Sequence, residues 1–355
     1  MNINSFSEYF TKIIIEKKGL IVMTTIRDIA ETVGVSPATV SGVLNNNPKL
    51  SVSDDTRKKI LDAAVRLKYK KKIFQPQLKK IAFLYWVPEI TELEDIYFKA
   101  IRLGVEKEIE KRNVEMVEIS VEDGIETVPV DVEGIIAIGR FSTNELEVLR
   151  EITRHIVFID SSPNEEEFDS VKPDLRRITS NIINFFVEEG HSEIGMLGMF
   201  DVDPDSFDFI PDPREEAFRF EMSKNGLLNE KYIFIRERAS LSEGYEGMLD
   251  AINTLGDDLP TAFYIGTDAL ALGALQALNE SDIKVPDRVS IFSINDIEVA
   301  EYVSPPLTTY HIYRETLASV AFDLLHERLI NGREVPMKVL VSSKPIFRKS
   351  TLGKK

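Results

Sequence analysis

From residue 81 onward the chain alternates short apolar runs with helical stretches, and few folds accept that alternation. IAFLYWV (81–87), VEMVEI (114–119), GIIAIG (134–139) and HIVFID (155–160) make a first group of runs. IGMLG (194–198), YIFI (232–235), TAFYIG (261–266) and VSIFSI (289–294) make a second. Their length and β-branched content are those of buried strands. Between them, YFKAIRLGVEKEIEKR (97–112), PREEAFRFEMSKNG (213–226) and GYEGMLDAINTLG (244–256) read as helices. Strands alternating with helices build parallel sheets covered on both faces. Eight strands spread over roughly 270 residues suit two doubly wound lobes better than one sheet.

This body carries no recognisable catalytic kit. Neither G-x-G-x-x-G nor G-x-x-x-x-G-K-[ST] follows a strand, and no G-x-S-x-G elbow occurs. The carboxylates of Asn164-Glu165-Glu166-Glu167 read as a solvated loop. Open α/β sheets bind ligands beyond the carboxyl ends of their strands. Those ends are polar here: Asp160, Thr267-Asp268 and Asn295-Asp296. Helix capping is an alternative role for Asp160 and Asp296.

Ahead of the body, residues 25–67 divide into three short helical patterns. Thr25 caps the first, with Asp28 at the capping-box position, and Ile26, Ile29, Ala30 and Val33 share one face. Gly34 stops it, and Ser36 caps the second helix with Pro37 in its first turn. Val40, Val43 and Leu44 give that helix its apolar side. After Asn45-Asn46-Asn47-Pro48, Ser53 caps a third helix whose Ile60, Leu61, Ala64 and Leu67 are expected to turn inward. Two short helices on a tight glycine turn, braced by a third, make a helix-turn-helix.

Charge separates the two parts. Residues 23–80 hold twelve Lys/Arg against five Asp/Glu, whereas the chain as a whole carries −16. A basic head on an acidic body implies that the head alone meets a polyanion. The absence of cysteine excludes disulfides, thiolate metal sites and cysteine nucleophiles. With four histidines, none near another, no metal or other cofactor is expected. No run approaches the roughly 20 apolar residues of a membrane span. The opening segment, 1–22, splits its apolar residues around Glu16-Lys17-Lys18-Gly19, so it reads as an extension rather than a secretion signal, with Met23 an alternative start. The expected location is cytoplasmic.

IRDIAETVGVSPATVSGVLN resembles the DNA-binding head of LacI/GalR-family transcriptional regulators, whose pattern is close to T-x-x-D-I-A-x-x-A-G-V-S-x-x-T-V-S-R-V-L-N. The segments VFID, GH-x-x-IGMLG, D-x-LALGAL, VPDRVSIFSIND and SPPLTT are similar to the family's two-lobed, periplasmic-binding-protein-like core. The resemblance implies an all-α helix-turn-helix head (23–69), a hinge linker (70–80) and an α/β effector-binding and dimerisation domain (81–347). Crossovers between its lobes are expected near 161, 296 and 325, with a tail at 348–355. ELEDIYFKAIRLGVE and the IND at 294–296 look most like galactose-operon repressors of Gram-positive lactic-type bacteria.

Carried over by position, the resemblance makes 36–45 the recognition helix. Pro37 and Ala38 fall where the family approaches base edges, and Thr39 and Ser41 where phosphates are met or the helix is capped. Gly42 stands where arginine is usual. Thr25, Ser36 and Asn45 complete the DNA-facing set. Leu78 takes the position of the leucine that wedges into the minor groove, although Pro76 opposes a continuous hinge helix. In the body, Asp160, Arg214, Thr267 and Asn295 match effector contacts, with Thr267 replacing a common Asn and Asn295 a common Asp. Trp86, or Tyr85, either stacks on a sugar face or packs between the lobes.

The implied function is a dimeric, non-enzymatic repressor of a sugar-utilisation operon. Its partners would be double-stranded operator DNA and a small sugar or sugar-phosphate effector, with galactose or a galactoside foremost. The alternatives are a regulator corepressed by a phosphocarrier protein, and a sugar-binding protein without regulatory DNA binding. The end from Lys344 lacks leucine heptads, which argues against a coiled-coil tetramer.

Overall fold

The three helical patterns of the head are realised as α1 (Ile26–Val33), α2 (Pro37–Leu44) and α3 (Asp54–Arg66). The structure, a computed structural model, describes residues 24–44, 52–67, 69, 80–94 and 96–352. It divides between Gln75 and Pro76 into two units. In the first unit Ile29, Ala30, Val40, Val43, Ile60, Ala63 and Ala64 form one small core. Thr24 Oγ1 donates to the Leu67 carbonyl at 2.6 Å, tying the approach to α1 to the turn that ends α3. Leu61, expected inside, is 46% exposed. Residues 60, 63, 64 and 67 follow the i, i+3, i+4, i+7 stripe of a helix face, and Leu61 lies about 100° off it.

The second unit begins with β1 (Lys80–Trp86), α4 (Glu89–Glu94), α5 (Ile96–Arg112), β2 (Glu115–Ser120), β3 (Gly134–Gly139), α6 (Thr143–Ile152), β4 (Ile156–Ile159) and β5 (Asp169–Pro173). It continues through α7 (Leu175–Glu188), β6 (Ile194–Met199), a small hairpin of β7 (Asp201–Val202) and β8 (Phe209–Ile210), α8 (Pro213–Lys224), β9 (Ile233–Arg236), α9 (Leu241–Leu255), β10 (Ala262–Ile265) and α10 (Asp268–Glu280). It closes with β11 (Ser290–Asn295), β12 (Thr308–His311), α11 (Arg314–Asn331), β13 (Lys338–Val341) and β14 (Lys344–Ile346).

Two six-stranded sheets result, ordered β2-β1-β3-β4-β5-β13 and β9-β6-β10-β11-β12-β14. The orders are the same when β1 is matched to β6, so the two lobes repeat one doubly wound plan. Only the outermost strands differ in direction: β13 runs parallel to β5, and β14 antiparallel to β12. Strand alternation then sorts the core. In β1, Ala82, Leu84 and Trp86 face α6, while Ile81, Phe83 and Tyr85 face the layer that includes α5 and α11.

All eight expected strands are present, and they group as expected. The crossovers are not where they were expected. The chain leaves the first sheet after β5, returns after β12 and crosses again between β13 and β14, near residues 174, 312 and 342. The reason is that β5 and β12 extend each sheet by a strand too polar to read as an apolar run. The expected tail is also misplaced, because Ser350 is fully buried. Its Oγ donates to the Ile291 carbonyl and accepts from Thr308 N, both at 2.7 Å. Residues 348–351 therefore complete the second lobe.

Candidate DNA-binding head and effector cleft

The local geometry of the head follows its caps. Thr25 and Asp28 form a reciprocal capping box, with Thr25 N donating to Asp28 Oδ2 at 2.6 Å. Gly34 adopts φ +75°, a left-handed turn that ends α1 without strain. Ser36 Oγ accepts from Thr39 N at 3.0 Å, and Ser53 Oγ from Thr56 N at 3.2 Å. Val40 and Val43 bury one side of α2, leaving Ser36, Pro37 and Ala38 exposed and Thr39, Ser41 and Gly42 half-exposed. The outward residues are small, so a backbone-close approach to a flat or grooved partner is unhindered. Asn45, Leu78, Pro76 and the lysines at 70–72 and 79 lie outside the described residues.

In the body, a cleft of about 640 Å³ opens between the lobes at the carboxyl ends of the strands. Asp160 and Arg214 line it from opposite lobes. Asp160 follows β4 with φ +64°, and its Oδ1 accepts from Tyr97 Oη at 2.9 Å. Burial pushes its carboxyl above the usual range, against the pull of Arg140 and Arg214. Arg214 sits in the first turn of α8. Its Nε and Nη2 grip the N-cap Asp212 at 2.7 and 2.8 Å, and its Nη1 donates to the Gly266 carbonyl at 3.1 Å. Of five guanidinium N–H groups, this leaves two for a ligand.

The lobes also touch directly. Arg140, just past β3, donates from Nε and Nη2 to Asp201 at 3.1 and 2.6 Å. Asp205, on the β7–β8 hairpin, accepts from Thr143 N at 2.7 Å and Thr143 Oγ1 at 2.8 Å, at the positive end of α6. Away from this rim, Arg314 at the start of α11 donates to the carbonyls of Asn295 and Asp296.

Trp86 and its alternative Tyr85, Thr267 and Asn295 do not line this cleft. Trp86 is 8% exposed, donates from Nε1 to Glu145 at 2.9 Å and stacks on Phe141 with centroids 5.4 Å apart. Its even position in β1 turns it to the α6 side, so Phe141 is the aromatic ring at the cavity. Tyr85 points to the opposite core. Thr267 caps α10 and is buried. Asn295 ends β11 at φ +124°, also buried. Neither Asp160 nor Asp296 caps a helix: Asp160 leads into a loop, and Asp296 binds His311 and Arg348 at 2.8 and 2.7 Å.

The structure adds Arg140, Phe141, Ser161, Lys172, Asp201 and Asp212 to the cleft. Arg140 and Phe141 were findable, since they follow the GIIAIG strand directly. Gly139 permits this turn: at φ +115°, a Cβ there would sit 2.1 Å from the Trp86 carbonyl oxygen.

Residues 25–72 match the family model described as bacterial regulatory proteins, lacI family, and residues 183–351 that of a periplasmic binding protein-like domain. The chain is 48% identical over 328 residues to the HTH-type transcriptional regulator GanR of Bacillus subtilis (strain 168), covering 92% of this chain and 99% of that protein. It is 35% identical to the HTH-type transcriptional regulator GalR of Lacticaseibacillus casei, covering 93% of this chain and all of that one. Among solved structures, a complex of the transcriptional regulator CelR with cellobiose superposes with TM-score 0.66 at 21% identity, over 92% of this chain and 99% of that one. The Lac repressor dimer bound to operator and the anti-inducer ONPF gives 0.65 at 23%, over 93% of this chain and 100% of that one.

Proposed function

The chain belongs to the LacI family of bacterial regulatory proteins and is a DNA-binding transcriptional regulator rather than an enzyme; from that premise we propose that it represses a sugar-utilisation operon under the control of a neutral sugar, galactose or a galactoside, held between the lobes. The observation that carries this reading is the pairing of Asp160 and Arg214 across the cleft. A carboxylate from one lobe and a half-engaged guanidinium from the other suit a ligand bearing several hydroxyls, which both accept and donate. GalR relatives at 35% and 34% identity, from Lacticaseibacillus casei and Streptococcus thermophilus, support galactose as the sugar.

The proposed division of labour follows the charge. The basic head, with α2 as recognition helix, would read one operator half-site, and residues 70–80 would serve as its hinge. Residues 81–352 would bind the effector and pair with a second copy, because one small head gives limited affinity. A sugar that binds one lobe arrangement better shifts the protein toward it and so changes operator affinity. The coupling is reciprocal. Among the described residues, no helix is long and apolar enough to cross a membrane.

The test is an anisotropy titration on DNA selected by the protein from a randomised pool, with and without D-galactose and its disaccharides. Operator affinity should fall when the right sugar is added. No binding to any DNA at low salt, or no response to any sugar, would sink the reading. A response only to a phosphorylated phosphocarrier protein would replace it with corepression.

A further inference from the structure

One wall of the cleft carries polar groups that the Asp160–Arg214 pair does not use. Ser161 lines the cavity and is 6% exposed, yet its Oγ has no hydrogen-bond partner among the described residues. Buried hydroxyls are nearly always satisfied, so one left open at a cavity wall is suited to a ligand atom. Lys172, in β5, is half-buried at the same cavity and makes no ion pair or hydrogen bond among the described residues. Burial lowers its ammonium pKa, although the nearby carboxylates of Glu165 and Asp160 favour its charge, so the ammonium has shed water without closing a hydrogen bond.

The surroundings define what would satisfy both groups. Leu340 is the register partner of Lys172 on the neighbouring β13, and it lines the cavity together with Lys338, which is ion-paired to Glu165. Ser162 lines the cavity too and donates to Ser170 at 3.1 Å. The wall thus offers hydroxyls, one ammonium with no hydrogen bond among the described residues, and the Lys338–Glu165 ion pair. Across the whole cavity, seven carboxylates face five Lys and Arg side chains, a balance that disfavours an anionic ligand. A volume of about 640 Å³ falls within the roughly 300–1,000 Å³ of clefts that enclose drug-sized ligands. A single hexose would leave much of it to water.

We propose that the effector is a neutral glycoside of at least two linked sugar rings, one ring between Asp160 and Arg214 and the next hydrogen-bonded by Ser161 and Lys172. This rests on the sugar reading above. Ser161 and Lys172 then set specificity for the second ring, with Lys172 donating to its hydroxyl or glycosidic oxygens.

Calorimetric titration of the full-length protein tests this with D-galactose, galactose 1-phosphate, lactose, melibiose, and β-1,4- and β-1,6-galactobiose. At least one disaccharide should bind about tenfold or more tightly than galactose, as expected of one or two added charge-assisted hydrogen bonds. In Lys172→Met that disaccharide-to-galactose ratio should fall to near one. Ser161→Ala removes a single oxygen, keeps the fold and should lower the ratio severalfold. Galactose binding as tightly as every disaccharide, or a ratio unmoved by both variants, overturns the second ring while leaving the sugar reading in place. Tightest binding of galactose 1-phosphate overturns the neutral-ligand assignment. Binding of none of these sugars overturns both readings together.

Discussion

Gly42→Arg tests the placement of α2 against DNA, and two energies are separable in it. Gly42 lies four residues beyond Ala38, one turn further along the outward side, away from the buried Val40 and Val43. Glycine inside a helix costs about 1 kcal/mol relative to alanine, and arginine is among the better helix formers. The substitution should therefore stabilise the head by roughly 0.5–1 kcal/mol, whatever the DNA does. If the side chain reaches a guanine edge, bidentate contact adds about 1–3 kcal/mol of discrimination, or roughly 5- to 150-fold between matched and mismatched operators. If it reaches only a phosphate, affinity rises on all sequences and the log–log salt slope steepens by about 0.9. Anisotropy titrations on selected and scrambled DNA at several salt concentrations, beside thermal melts of both proteins, separate these outcomes. A more stable head with unchanged affinity, discrimination and slope would show that Gly42 does not face DNA. A destabilised head would show that it is not on an open helix face at all.

Other consequences follow from the body. Asp169 is fully buried and binds Arg328, Arg333 and the Met337 amide, so Asp169→Ala leaves the buried Arg328 guanidinium without a carboxylate and Arg333 with Glu327 alone. Urea unfolding should lose about 3–5 kcal/mol, and a loss below about 1 kcal/mol would contradict the network. Burial raises the Asp268 carboxyl to about 7 against bonds from Ser293, Thr309 and Ile297 N. Its folded pKa thus lies above its unfolded one, and the folded state binds the extra proton between them. Its contribution to stability is therefore greatest below about pH 4 and is lost as pH rises through about 7. Tm should fall across that window, and Asp268→Asn should flatten the fall. Arg140→Ala removes the bidentate bond to Asp201 across the cleft. Small-angle scattering should report a larger radius of gyration without sugar, and titration followed through Trp86 emission should report severalfold weaker sugar binding. An unchanged radius and affinity would show that the pair does not hold the lobes.

The architecture was legible where apolar periodicity was strong. Eight strands in two groups and three capped helices are written in runs such as GIIAIG and in caps such as Ser36-Pro37. What escaped was polar. DSVKP and TTYH join the sheets as β5 and β12 because their neighbours bury them, a tertiary effect that no local pattern announces. The missed crossovers and the missed Lys172 share that origin. In the cleft, the strand-end rule located Asp160 but could not tell which face Trp86 took, because a shift of one residue in β1 exchanges the two cores. Thr267 and Asn295 stand at the strand ends as expected, but buried behind the cavity wall.

The repeated plan of the lobes explains why a sugar would act as a switch here. Asp160 follows β4 and Asn295 ends the equivalent strand β11, and both hold φ above zero. Non-glycine residues rarely adopt that conformation, and such strain tends to collect at functional sites. The Arg140–Asp201 and Thr143–Asp205 bonds tie one rim, and Arg314 ties another part to the second lobe. A sugar joining Asp160 to Arg214 would add a further tie between the lobes. Its effect on their equilibrium cannot exceed its difference in affinity for the two arrangements. The existing ties therefore set the bias that the sugar must extend, so loosening them in Arg140→Ala should weaken sugar binding and diminish sugar control of the operator together. Weakened sugar binding with undiminished control would separate lobe closure from regulation.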